Sequence, residues 1–308
     1  MKKSKLDFSI QNTEYFICIW EDRMEYTEEF RRQYECPNYR VIDTTSGGGY
    51  CYIYFSGNGV FDPDTEDAFR NMIINKDRYE WIRWSTQSER KIYLRDIHKE
   101  WYFRGINSVY NTIDKVLSLL KIMSKGYKIV TVGSSAGGYA AILFGILLGA
   151  ERVFAFSPQF DLTEWLEPRK LLGTKPFVQQ ERYINIVDII KESDTEIFYF
   201  FPAYVDVDVF QAKLVENIPN VYMFGIKSKL HGKALYPNCI PHVLSADLGS
   251  LNRMKKQFQN KIVSPFYFAI ANGGIKVAII GKEYEMAKLI YYPLNDIRRK
   301  CKIGRQKG

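Results

Sequence analysis

Lys128-Ile129-Val130-Thr131-Val132 runs without interruption into Gly133-Ser134-Ser135-Ala136-Gly137-Gly138, and Tyr139–Leu148 (YAAILFGILL) follows. The first stretch is β-branched after its lysine and reads as a buried strand. The last is apolar almost all round, as in a helix packed beneath a sheet. Between them lies a short run of small residues, with Ser135 at the corner. A strand-to-helix bend this tight forces its central residue to φ > 0. That lifts the Ser135 hydroxyl out of the sheet, at the N-terminal end of the helix. The bend also brings together the residues two before and two after, so both must be small, and here both are glycine (Gly133 and Gly137). Ala136 is small as well, and its N–H is placed to face a developing oxyanion.

A glycine-rich turn of this kind can instead cradle phosphate at a helix N-terminus. The dinucleotide pattern G-x-G-x-x-G does not fit, because Ser135 occupies the second glycine position, and the Walker lysine is missing. A nucleophilic serine is the reading that uses every residue of the corner.

Outward from the corner, short β-branched and aromatic runs alternate with helical patterns, which predicts an α/β sheet. Strands are expected at Tyr15–Trp20, Tyr39–Ile42, Tyr50–Phe55, Lys91–Leu94, Lys128–Val132, Arg152–Phe156, Glu196–Phe201 and Val221–Ile226. Helices are expected at Gly105–Lys125, where Ile106, Val109, Ile113, Val116 and Leu120 recur at helical spacing, and at Tyr139–Leu148, Ile184–Lys191 and Val207–Asn217. Beyond His231 the pattern turns largely helical.

The 308 residues, 46% hydrophobic and 25% charged, are enough for one large domain and carry no mark of disorder or a disulfide scaffold. Five scattered cysteines (Cys18, Cys36, Cys51, Cys239 and Cys301) show no CxxC spacing, so neither a zinc site nor a disulfide framework is expected. The first twenty residues lack the apolar core of a signal peptide, and no apolar run reaches the roughly 20 residues of a membrane span. A soluble, cytoplasmic protein is expected. The net charge of +8 favours acidic partners: a polyanionic glycan, an anionic membrane face or nucleic acid. No nucleic-acid-binding motif accompanies it, so nucleic acid is not expected. The basic tail from Arg298 leaves peripheral contact with the inner membrane face open.

The stretch VTVGSSAGGYAAILFG resembles the nucleophile elbow of the α/β-hydrolase superfamily. More narrowly, it resembles the bacterial serine esterases and O-acetyltransferases found with capsule and surface-polysaccharide genes. The element order is compatible over about residues 50–245. The resemblance implies an α/β-hydrolase-type, mostly parallel central sheet flanked by helices, with a helical C-terminal segment. The chain is then expected to divide into a catalytic domain, 1–262, with a lid-like insertion at 158–195, and a helical, basic extension, 263–308, packed on it or trailing from it. The resemblance also implies the chain order Ser…Asp…His.

A serine hydroxyl needs a base within hydrogen-bond reach. His98 precedes the elbow, violates that order and is read as a surface-loop residue. His242, in PNCIPHVLSADL, is read as a packed or capping residue. His231, a few residues past the strand Val221–Ile226, stands where the superfamily places its base. The acid should follow the preceding strand, where Asp206 and Asp208 compete. Asp206 is nearer the strand end and is preferred, since Asp208 serves equally well as a helix cap. The second oxyanion donor should come from Ser56-Gly57-Asn58-Gly59, with Gly57 and Asn58 the candidates beside Ala136. Many esterases carry a histidine there and this sequence does not. Phe160, Trp165, Phe177 and Tyr183 are candidates to line a substrate cleft under the lid.

The implied activity is serine-dependent acyl transfer: O-acetyl transfer to a surface or capsular glycan, or hydrolysis of its O-acetyl ester. The partners are then a small acyl donor or ester and an acidic glycan. No cofactor or metal is expected, apart from a donor such as acetyl-CoA if the enzyme is a transferase. Two alternatives stand beside it. One is a catalytically silent α/β-hydrolase-like subunit of a glycan-assembly system, marked by a displaced histidine or an occluded Ser135. The other is a nucleotide-sugar-binding enzyme, which should carry a ribose-binding acid after the next strand, where Phe156-Ser157-Pro158 supplies none.

Overall fold

The computed structural model describes residues 27–45, 48–232 and 234–287. Its strands are β1 (Tyr39–Asp43), β2 (Tyr50–Phe55), β3 (Arg90–Leu94), β4 (Lys128–Ser134), β5 (Arg152–Phe156), β6 (Glu196–Pro202), β7 (Val221–Ile226) and β8 (Lys261–Val263). They form one sheet in the order β1-β3-β2-β4-β5-β6-β7-β8. Only β1, at one edge, runs antiparallel to its neighbour. The helices are α1 (Glu28–Tyr34), α2 (Glu66–Phe69), α3 (Ile113–Met123), α4 (Ala136–Leu147), α5 (Thr163–Leu166), α6 (Lys175–Val178), α7 (Val187–Lys191), α8 (Asp206–Lys213), α9 (Ile240–Leu244), α10 (Leu248–Phe258) and α11 (Pro265–Gly273), and a further helix occupies 275–287. The strand expected at Tyr15–Trp20 lies outside the described residues.

Period-two alternation splits the strands between two cores. Cys51, Ile53 and Phe55 of β2 and Ile197, Tyr199 and Phe201 of β6 face α3, α4 and the 158–195 insertion. Tyr52, Tyr54, Phe198 and Phe200 face the other side, with α9, α10 and α11. On that second face Phe156, Phe200 and Phe224 stack across three strands at 4.9 Å spacings, so adjacent strands are held in register by ring contact.

Two expectations shift. The helix predicted from Gly105 starts only at Ile113: Gly105 takes φ +61°, and Thr112 caps the helix by accepting the Lys115 N–H. Val109, counted in the helical pattern, is exposed. The boundary expected at 262 falls inside β8, and beyond it Phe268 of α11 is buried against Phe200, Phe224 and Phe258, so the described start of the extension packs on the sheet.

All parallel strands end at the same edge, where the loops after β2, β4, β5, β6 and β7 converge. Ligand sites of open α/β sheets form at that edge.

Candidate active site

Ser135 joins β4 to α4 with φ 55° and ψ −124°, the strained corner that the spacing of small residues predicts. Its N–H donates to the Phe156 carbonyl at 2.8 Å, and its carbonyl accepts from Tyr139 at 3.0 Å. Any side chain at the flanking glycines would break this corner. A Cβ on Gly133 would lie 1.9 Å from the Gly137 carbonyl oxygen, and one on Gly137 would lie 2.3 Å from the Phe55 carbonyl oxygen. Ser135 as a residue is partly open to solvent.

The His231 Nε2 lies 2.9 Å from the Ser135 Oγ, and its Nδ1 lies 2.9 Å from the Asp208 Oδ2. A carboxylate only accepts, so Nδ1 carries the proton toward Asp208, and Nε2 is left to accept from the serine. The imidazole is four-fifths covered and the Asp208 side chain is almost wholly so, which strengthens a contact that water would otherwise screen. The preference for Asp206 is thus corrected. Helix α8 begins at Asp206, and residues two apart on a helix point about 200° from one another. Asp208 therefore faces His231 while Asp206 is exposed.

The loop bearing His231 is tied down by its next residue. Gly232, at φ +71°, donates its N–H to the Ser157 Oγ at 3.0 Å, and its carbonyl accepts from the Ser134 Oγ at 3.3 Å. Ser157 is fully buried, itself at φ 47°, and donates its N–H to the Phe200 carbonyl. The ends of β4 and β5 thus set the height of the imidazole above the sheet. The other histidines stand apart. The His98 ring packs edge-on against Phe30 and Tyr34, with centroids 4.9 and 4.6 Å away, so it is a packing residue rather than a plain surface-loop one. His242 is exposed on α9.

The loop after β2 differs in part from expectation. The Gly57 N–H donates to the Glu80 carboxylate at 2.7 Å, so it is not directed at the serine, and Gly57 is corrected as an oxyanion donor. Asn58, the first residue of a 3₁₀ turn, and Ala136, the first of α4, both have N–H groups with no partner inside their own turn. The backbone here is held from several sides. Trp81 Nε1 donates to the Phe55 carbonyl, the Glu80 N–H to the Ser56 Oγ, and the Tyr102 hydroxyl to the Ser56 carbonyl at 2.9 Å.

Tyr102 reaches that position from an unusual segment. The buried Asp96 carboxylate accepts the N–H groups of His98, Glu100 and Tyr102, while Lys99, Trp101 and Tyr102 all take positive φ. Burial pushes the Asp96 carboxyl above the usual carboxylate range. Glu80, Asp96, Tyr102 and Ser157 are supports that sequence reading misses. Only Ser157 carries a signal, its place directly after a parallel strand.

The 158–195 insertion packs into the core rather than arching over a cleft. Phe160, Phe177 and Tyr183 are buried there and line no surface. Trp165 alone of the four candidates borders the site, half-buried with its ring 6.5 Å from that of His231. Among the described residues no three His, Cys, Asp or Glu side chains gather to hold a metal, and no helix is long and apolar enough to cross a membrane.

A mostly parallel sheet with an antiparallel edge strand and a serine elbow after its central β4 is the α/β-hydrolase-type fold. No family model and no curated protein matches the sequence. Among solved structures the chain is similar to the capsule O-acetyltransferase of Neisseria meningitidis serogroup A, with 17% identity, 63% of this chain and 85% of that one covered, and a TM-score of 0.46. It is also similar to MenH from S. aureus, with 13% identity, 72% and 99% covered, and a TM-score of 0.38. An alpha/beta hydrolase enzyme from a lagoon-sediment metagenome shows 12% identity, 63% and 86% covered, and a TM-score of 0.37. These likenesses concern the fold.

Proposed function

We propose that the protein is a serine acyl-transfer enzyme working through Ser135, His231 and Asp208. The observation that carries the reading is the unbroken chain of contacts from the Ser135 Oγ through both nitrogens of His231 to the Asp208 carboxylate, each 2.9 Å. Nε2 takes the hydroxyl proton as the serine oxygen attacks the acyl carbon. Asp208 holds the imidazole in the tautomer that makes this possible and stabilises the imidazolium that results. The Ala136 and Asn58 N–H groups receive the developing oxyanion. His231 then returns its proton to the departing group, leaving an acyl-serine. In the second half His231 deprotonates whichever hydroxyl, water or sugar, attacks that ester.

The finer reading is O-acetyl chemistry on a bacterial surface or capsular glycan, with an ester or thioester as donor. It rests on the resemblance of the elbow VTVGSSAGGYAAILFG to serine esterases and O-acetyltransferases, and Trp165 beside His231 offers a ring on which a sugar can stack. Against a silent subunit, His231 lies within hydrogen-bond reach of the Ser135 Oγ.

A fluorophosphonate probe followed by peptide mass spectrometry tests the site. Label on Ser135, lost in Ser135→Ala, is expected; label elsewhere, or none, refutes it. Turnover of p-nitrophenyl acetate with and without an acetyl-acceptor glycan separates the two outcomes of the acyl-enzyme. Full-rate turnover without acceptor counts against a transferase.

A further inference from the structure

Ser135 is flanked differently on its two sides. In the sheet β2 and β3 lie to one side of β4, and β5, β6 and β7 to the other. On the first side the side chains are closed in: Val60, Phe61, Trp101 and Tyr102 are at most 2% exposed. The Trp101 Nε1 donates to the Gln159 Oε1 at 3.0 Å, and the Arg169 guanidinium lies over the Trp101 ring at 4.9 Å. On the second side large apolar side chains stand open on the loops that carry the catalytic residues. Leu230, directly before His231, is 57% exposed, and Tyr204, four residues before Asp208, is 54% exposed. The Tyr204 N–H donates to the Ser228 carbonyl at 3.2 Å, so these two loops run side by side. Trp165, from the loop after β5, holds its ring tilted by 36° to the imidazole.

The path of the proton fixes which part of a substrate meets which side. His231 gives its proton to the departing alcohol and takes one from the attacking hydroxyl, so that oxygen must lie within hydrogen-bond reach of Nε2. The carbonyl oxygen points at the Ala136 and Asn58 N–H groups, and the acyl chain is left on the side away from the imidazole. The alcohol therefore lies toward Trp165, Tyr204 and Leu230, and the acyl chain toward Val60, Phe61 and Trp101.

Resting on the acyl-transfer reading above, we propose that Trp165, Tyr204 and Leu230 form the subsite for the alcohol part of the ester or acceptor, and that it selects a hydroxyl carried on a sugar ring. The C–H face of a sugar ring covers aromatic and aliphatic side chains and removes them from water; a short open-chain alcohol has no such face. The closed side limits the acyl group to a short chain. Selection thus falls on the alcohol. The three residues set specificity and take no part in proton transfer.

The test is a competition between two acetyl esters, an acetylated methyl glucopyranoside and ethyl acetate, which share the acyl group and differ in the alcohol. Offered together, they compete to acylate Ser135, and the ratio of the two alcohols released is set before water or a second alcohol discharges the serine. Expected is a ratio favouring the sugar ester in the wild type, lowered about tenfold in Trp165→Ala and in the double variant Tyr204→Ser, Leu230→Ser. Ile122, 75% exposed near the end of α3 and remote from this edge, is the control: Ile122→Ser should leave the ratio as it is. On the acyl side, p-nitrophenyl octanoate should turn over at least about tenfold more slowly than the acetate. With Ser135 taking the fluorophosphonate label, three outcomes overturn the proposal: a ratio that the site variants leave unmoved, a ratio that Ile122→Ser moves equally, or octanoate accepted as readily as acetate. Absence of that label in the wild type overturns the acyl-transfer reading itself, and this inference with it.

Discussion

The Asp208 Oδ2 accepts from the His231 Nδ1 across 2.9 Å, joining the first turn of α8 to a loop 23 residues further along the chain. Asp206, two residues earlier, is exposed on the other side of the same turn. Asp208→Asn keeps the shape and loses the tautomer control, and should lower kcat by roughly 10⁴-fold. Asp206→Asn should stay within about twofold of wild type. Equal losses in the two variants would overturn the assignment.

The Glu80 carboxylate takes the Gly57 N–H and so sets how the next peptide, at Asn58, is turned. Glu80→Ala should lower kcat on the order of 10²-fold by displacing that donor, with KM nearly unchanged. Glu80→Gln, whose amide oxygen accepts the same bond, should recover most of the loss. A fall confined to KM would argue against this positioning role.

Ser157 anchors Gly232 and, through it, His231. Ser157→Ala leaves the partly buried Gly232 N–H without its acceptor, which costs on the order of 1 kcal/mol. A lower melting temperature should accompany a reduced kcat, both measured on the same preparation. An unchanged kcat would show that the imidazole is held by Asp208 alone.

Steric room separates the glycines. Gly137→Ala drives a methyl into the Phe55 carbonyl and should cost about 1–3 kcal/mol or more, with loss of activity. At Gly249, in α10, a methyl meets nothing nearer than 3.5 Å, and Gly249→Ala should be stabilising by about 0.5–1 kcal/mol. Denaturant melts of the two variants check the contrast.

Burial pushes the thiols of Cys51 and Cys239 up to about 12, and Cys36 is exposed. Only the thiolate alkylates, and at pH 8 both buried groups are held protonated, four pH units below that value. Iodoacetamide should therefore modify Cys36 in the native protein and reach Cys51 and Cys239 only after unfolding, as peptide mapping would show. Native-state labelling of Cys51 would contradict the packing of β2.

Sequence by itself determined the strand–corner–helix at Lys128–Leu148, because β-branched residues, paired glycines and an all-apolar helix are local demands that one stretch of chain must meet alone. It also determined most of the strand order along the chain, while His231 was singled out by what the elbow's resemblance to the superfamily implies. Tertiary structure decided the rest. The choice between Asp206 and Asp208 depended on which residue starts α8, since two residues along the helix swing a carboxylate from solvent to site. Loss of Gly57 as a donor depended on Glu80, brought from 23 positions away by the fold. Burial of Phe160, Phe177 and Tyr183 turned a supposed cleft lining into core, because aromatic side chains look the same in sequence whether they meet a ligand or one another. What a residue is read from the chain; which way it faces is set only when distant segments pack against it.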